Sequence, residues 1–142
     1  MSITRHTIRR IAFQILYAVE SNPETDINEL YAQIQNDESH ADLEMPSYLT
    51  SLVTGVMTQK EELDQTITAH LSSKWSIKRL NKTDLLILRI AVYEAKFAAE
   101  VPTKVAVNEA LQLAKEFSDE KSRRFINGVL SNLITEQSSK LE

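Results

Sequence analysis

The sequence predicts an all-α fold, a single domain of about seven helices. Three observations carry this. Two glycines and three prolines in 142 residues are too few for a turn-rich β architecture. Apolar residues recur with a helical period in most segments. The stretch Leu85–Val92 holds one charge, Arg89, and is otherwise apolar. A helix apolar all round is normally buried all round, so this one is expected at the centre of the domain. It is too short to span a bilayer.

Composition narrows the function classes. A hydrophobic content of 42% supports a core. With no cysteine there are no disulfides and no thiolate chemistry, which suits a reducing, cytoplasmic setting. The N-terminus lacks the apolar run of a signal peptide, and no membrane segment is expected. The histidines, His6, His40 and His70, lie in separate segments without metal-ligand spacing. No Gly-x-Ser-x-Gly motif and no glycine-rich phosphate loop occurs. The expectation is therefore a protein that is not an enzyme and holds no cofactor or metal. Net charge is −4, yet the charges are segregated. The middle, Glu20 to Asp64, is acidic with a single lysine, whereas the first helix and Lys74–Lys82 are basic.

In chain order, Ser2 or Thr4 caps a first helix running to about Val19. Ile8, Ile11, Ala12, Ile15 and Val19 form its apolar stripe. His6, Arg10, Phe13, Gln14 and Tyr17 lie opposite, with Arg9 at the shoulder. Cations interleaved with aromatics suit single-stranded RNA, because cations meet phosphates and rings stack on bases. Packing of Phe13 and Tyr17 against a second helical layer is the equal alternative. Ile27, Leu30, Tyr31 and Ile34 mark a second helix, and residues 36–45 read as a mobile loop. Pro46 opens a third helix with Leu49, Leu52, Val53 and Val56 on one face. Its Gly55 marks either a close helix approach or a tolerated surface glycine. Leu63, Ile67, His70 and Leu71 mark a fourth.

Lys74–Leu80 breaks the period and is expected to be a turn plugged into the core by Trp75, Ile77 and Leu80. Asn81 or Thr83 caps the central helix, where Arg89 is expected in an ion pair, for example with Glu94 or Glu109, since an unpaired buried charge is very costly. Pro102 starts the sixth helix, with Val107, Ala110, Leu111, Ala114 and Phe117 inward. Ser118 or Asp119 caps the last, whose core face is Ile126, Val129, Leu130, Leu133 and Ile134. Lys121, Arg124 and Gly128 fall opposite, with Phe125 at the edge. Early cations oppose the helix dipole, and an interior glycine costs about 1 kcal/mol against alanine. Their coincidence with an outward phenylalanine favours a binding surface over a merely solvated face.

Four stretches stand out: Arg9–Tyr17 (R-x-I-A-F-Q-I-L-Y), Asp84–Glu94 (DLLILRIAVYE), Val101–Phe117 (VPTKVAVNEALQLAKEF) and Phe125–Leu130 (FINGVL). Together they resemble the NusB family of bacterial transcription antitermination factors. The resemblance covers essentially the whole chain. It implies two packed helical subdomains and no catalysis. It implies binding of the single-stranded boxA element of nascent ribosomal transcripts, together with the small-subunit ribosomal protein NusE, within an RNA polymerase antitermination complex. The RNA surface it implies comprises Arg5, His6, Arg9, Gln14 and Tyr17 with Lys121, Arg124, Phe125 and Asn127; Arg10 joins this set from the first helix's polar face alone. The NusE surface it implies lies around the central helix and the turn before it, with Asp84 as its best-matched polar residue; Lys78, Arg79 and Lys82 are weaker candidates for either partner. Two departures stand out: His6 and Thr7 dilute the family's N-terminal arginine run, and Arg10 stands where an acidic residue is common. The alternative is a protein-interaction module or homodimer without direct RNA binding.

Overall fold

The computed structural model describes residues 4–37 and 44–141, apart from the side chains of residues 36–37 and 134–141. Among the described residues there are seven α-helices and no strand. They are α1 (Arg5–Ser21), α2 (Ile27–Asp37), α3 (Ser47–Thr58), α4 (Lys60–Ala69), α5 (Lys82–Phe97), α6 (Thr103–Phe117) and α7 (Glu120–Leu141). One 3-10 turn, Ile77–Arg79, precedes α5. The second helix runs through Asp37, so the loop expected from residue 36 starts later. His40 and the rest of that loop's centre lie outside the described residues, as does the side chain of Ile134.

The chain divides into two compact units, Met1–Thr54 and Gly55–Glu142, with the boundary inside α3. In the first unit α1 packs on α2. Ile8, Ile11, Ala12, Ile15 and Leu16 are buried on α1, with Tyr31 and Ile34 on α2 and Leu49, Leu52 and Val53 on α3. Phe13 is buried too, at 4% exposure, so for this ring packing prevails over presentation to a ligand. Thr4 is the cap of α1, its hydroxyl accepting from the Thr7 amide at 3.1 Å.

In the second unit α5 packs against α4, α6 and α7. Every residue from Leu86 to Val92 is buried, as its all-round apolar sequence requires. Arg89 is buried among them and is held by Asp64 of α4 in a two-pronged pair, Nε–Oδ1 2.8 Å and Nη2–Oδ2 3.0 Å. The ion pair is as expected, but this partner is one the sequence reading did not name. Fork-to-carboxylate geometry of this kind supplies both energy and direction. Gly55 is a close-approach glycine: a Cβ there would overlap the ring of Tyr93 on α5. Gly128 on α7 has nothing within 4 Å of such a Cβ.

Two caps fix the ends of helices that matter below. The Asn81 side chain accepts from the Asp84 amide at 2.8 Å and starts α5. The Asp119 side chain accepts from the Ser122 amide at 2.8 Å and starts α7.

Candidate nucleic-acid interface

The expected site residues fall into the two units, and each group has its own geometry. On α1, Arg5 and Tyr17 are exposed, while His6, Arg10 and Gln14 are half-buried. The Arg5 guanidinium carbon lies 3.8 Å from the ring centroid of Tyr48 on α3, a cation–π contact. Tyr17 is 41% exposed and tilts against Phe13, their centroids 6.0 Å apart. Arg9 departs from the expected shoulder position, for only 3% of it is exposed. It stands next to the buried stripe residue Ile8, and the helix carries both positions inward.

The second group is built where the 3-10 turn, the start of α5 and the start of α7 meet. Trp75 was expected in the core, yet it is 44% exposed. Its ring lies 5.5 Å from that of Phe125, tilted by 49°, and the Arg79 guanidinium carbon is 5.3 Å from its centroid. Arg79 Nη1 also donates to the Lys74 carbonyl at 2.9 Å, which bends the turn back on itself. Ile77 and Leu80, half-buried, provide what plugging there is. Phe125 is half-buried; Lys121, Arg124 and Asn127 are exposed, as their spacing on α7 predicts.

Beside the two rings is a cavity of about 310 Å³ whose lining includes Trp75, Arg79, Asp84, Lys121, Ser122 and Phe125. Residues expected for RNA and residues expected for NusE therefore share one hollow. Asp84 is only 6% exposed. Its Oδ2 accepts from the Ser122 hydroxyl at 3.1 Å and from Asn81 Nδ2 at 3.4 Å. Its Oδ1 is buried with no hydrogen-bond partner. Burial pushes the Asp84 carboxyl above the ordinary aspartate range; the Ser122 hydrogen bond draws it back and the Asp119 charge adds to the rise. Lys78 is exposed and Lys82 half-buried, on the turn and the first residue of α5.

The cations of α7 are partly neutralised from within their own helix. Arg123 grips Glu120 with two hydrogen bonds of 2.9 and 2.7 Å, and Arg124 Nε lies 3.6 Å from the same carboxylate. The Arg123 hydrogen bond, first of all, holds the fully exposed Glu120 carboxyl down at about 2. On the far side of Trp75 and Phe125 a second hollow of about 470 Å³ is bordered by His70, Arg124 and Gly128. The two rings thus form a ridge between two hollows. The sequence signal for Trp75 was present in its neighbours, Lys74, Lys78 and Arg79, which make an aromatic set among cations rather than among apolar residues.

Residues 6–135 match the NusB family model. The chain belongs to the NusB family. The transcription antitermination protein NusB of Lactiplantibacillus plantarum is 52% identical over 139 residues, 98% of this chain and 100% of that one. The structure of NusB from T. maritima superposes with a TM-score of 0.80 at 28% identity, covering 96% of this chain and 94% of that one. A crystal structure of the antitermination factors NusB and NusE in complex with dsRNA gives 0.77 at 29% identity, with coverage of 93% and 96%. NusB proteins are transcription antitermination factors, not enzymes. No helix among the described residues is long and apolar enough to cross a membrane.

Proposed function

We propose that the chain acts as one RNA-binding domain that recognises the single-stranded boxA element of nascent ribosomal transcripts, jointly with NusE, and thereby supports processive elongation by RNA polymerase in the bacterial cytoplasm. The observation that carries this reading is the pair of the exposed Trp75 and the half-buried Phe125, flanked by Arg79, Lys121 and Arg124. Rings available for stacking, with cations beside them, fit unpaired bases and their phosphates better than they fit a closed duplex. The solved relative in complex with NusE and dsRNA supports NusE and RNA as partner classes; the single-stranded form is inferred from the rings.

On α1, Arg5 and Arg10 meet phosphates, His6 and Gln14 donate hydrogen bonds and Tyr17 stacks. Arg9 is enclosed and is left to position the helix. On α7, Lys121 and Arg124 meet phosphates, Phe125 stacks and Asn127 donates. NusE is received by the outer side of the 3-10 turn and the first turn of α5, at Lys78 and Lys82, while Arg79 and Asp84 line the cavity.

A titration with a short boxA-like RNA, with and without NusE, at two salt concentrations tests this. The expected result is binding that weakens as salt rises and strengthens with NusE, since each phosphate contact releases counterions. Absence of RNA binding under both conditions, with NusE still captured, overturns it in favour of a protein-interaction module or homodimer.

A further inference from the structure

We infer that the cavity beside Trp75 is a pocket for a single nucleobase that carries an exocyclic amine, read by the Asp84 carboxylate and stacked on the Trp75–Phe125 rings. This deepens the RNA-binding reading and rests on it. Three features of the cavity each ask for a different part of one nucleotide. The Trp75 and Phe125 rings, 5.5 Å apart, offer a flat apolar wall. Arg79 and Lys121 border the same hollow and supply positive charge for a phosphate. Asp84 has one oxygen already satisfied by Ser122 and Asn81 and the other, Oδ1, without a partner.

A buried carboxylate oxygen left without a donor is expensive, so its retention calls for an explanation outside the resting fold. Asp84 lines the cavity, and the soft terminal torsion of an aspartate lets its carboxylate tilt towards a donor placed there. An ionised carboxylate only accepts, so it selects a base edge that donates. The amines of cytosine, adenine and guanine satisfy it. Uracil offers a single donor, N3–H, flanked by two carbonyl oxygens that repel a carboxylate, and is disfavoured against a base with an exocyclic amine. A lysine or arginine from a protein partner also donates, but it would enter between Arg79 and Lys121. A free anion would meet Asp84 and Asp119. The nucleotide alone matches the wall, the rim and the floor.

Trp75 is the only tryptophan in the chain, so its emission reports on this ridge directly. The experiment compares two short single-stranded RNAs that are all uridine except for one cytidine in the second, using the full-length protein and its Asp84→Asn variant. For the unsubstituted protein the expected result is about tenfold tighter binding of the cytidine RNA, with stronger quenching of Trp75. Asparagine can both accept and donate, so in Asp84→Asn the preference is expected to collapse to within about twofold. Equal affinity for both RNAs with Trp75 emission unchanged overturns the pocket while leaving RNA binding in place. A preference that survives Asp84→Asn removes Asp84 from the reading. Binding of neither RNA overturns this inference, and the RNA-binding reading falls with it only if a boxA-like RNA also fails to bind with and without NusE. If NusE alone quenches Trp75, the pocket belongs to the protein partner and the inference fails.

Discussion

Arg89 and Asp84 are two buried charges on α5, little more than one helical turn apart, and the fold treats them in opposite ways. Arg89 meets a carboxylate that matches its fork, with 2.8 and 3.0 Å contacts to Asp64. Asp84 is met on one oxygen only, by a serine hydroxyl and a more distant asparagine amide. The first arrangement closes on itself and joins α4 to α5. The second leaves an acceptor over, beside a cavity edged with aromatic rings and cations. A charge that serves only the fold tends to be fully matched. An unmatched one points to a role outside the fold.

The largest effect should come from breaking the matched pair. Asp64→Ala removes the carboxylate that matches the buried Arg89 fork and is expected to lower stability by about 3 kcal/mol in a urea titration. Replacing both partners with apolar residues, Asp64→Leu with Arg89→Met, should recover most of that loss. A single variant as stable as the parent would show that the pair contributes nothing. On the other side of the comparison, Ser122→Ala takes away the donor to Asp84 Oδ2 and should cost about 1–2 kcal/mol. Thermal unfolding of that variant without a shift would mean that the carboxylate finds another donor.

Asp84→Asn should change stability less than either, and in the favourable direction. Burial raises the folded-state pKa of Asp84 above the ordinary 3.8. Its protonated form is therefore favoured by folding, and that contribution is lost as pH rises through the raised value. The asparagine variant escapes this loss. Its small gain in melting temperature should be full at neutral pH and shrink as pH falls towards 3.8. A gain that grows in acid would reverse the assignment. Glu120→Gln sharpens the contrast with an exposed acid. It should leave the melting temperature almost unmoved, because exposed pairs contribute little. It should nevertheless tighten RNA binding about twofold and steepen the salt dependence, by releasing Arg123 and Arg124. Unaltered salt dependence would take those two arginines out of phosphate contact.

Much of this molecule was legible from local pattern. The caps Thr4, Asn81 and Asp119 were among the expected alternatives, because a capping side chain bonds only a few residues along. The burial of α5 and the outward placement of Lys121, Arg124 and Gly128 followed from helical periodicity. Failures came where a distant contact decides. Asp64, the partner that meets the Arg89 fork, is 25 residues away on another helix. Trp75 was misplaced because a lone tryptophan between Ile77 and the end of α4 looks like a plug. Its exposure depends on where α7 sets Phe125. Arg9 and Phe13 are both buried because α1 is covered more widely than a single apolar stripe requires. The amine-reading pocket was invisible for the same reason, since it assembles Trp75, Asp84 and Phe125 from three elements.

Gly55 has a consequence for how the family's sequences vary. The α3 backbone approaches Tyr93 so closely that no side chain fits between them. The two positions are therefore one steric unit divided between two helices. A relative that gains a side chain at position 55 is expected to lose bulk at position 93, and a change at either alone should be purged. Substitution at the two sites should be correlated across lineages, whereas Gly128, with open space around it, is tied to no neighbouring side chain in this way.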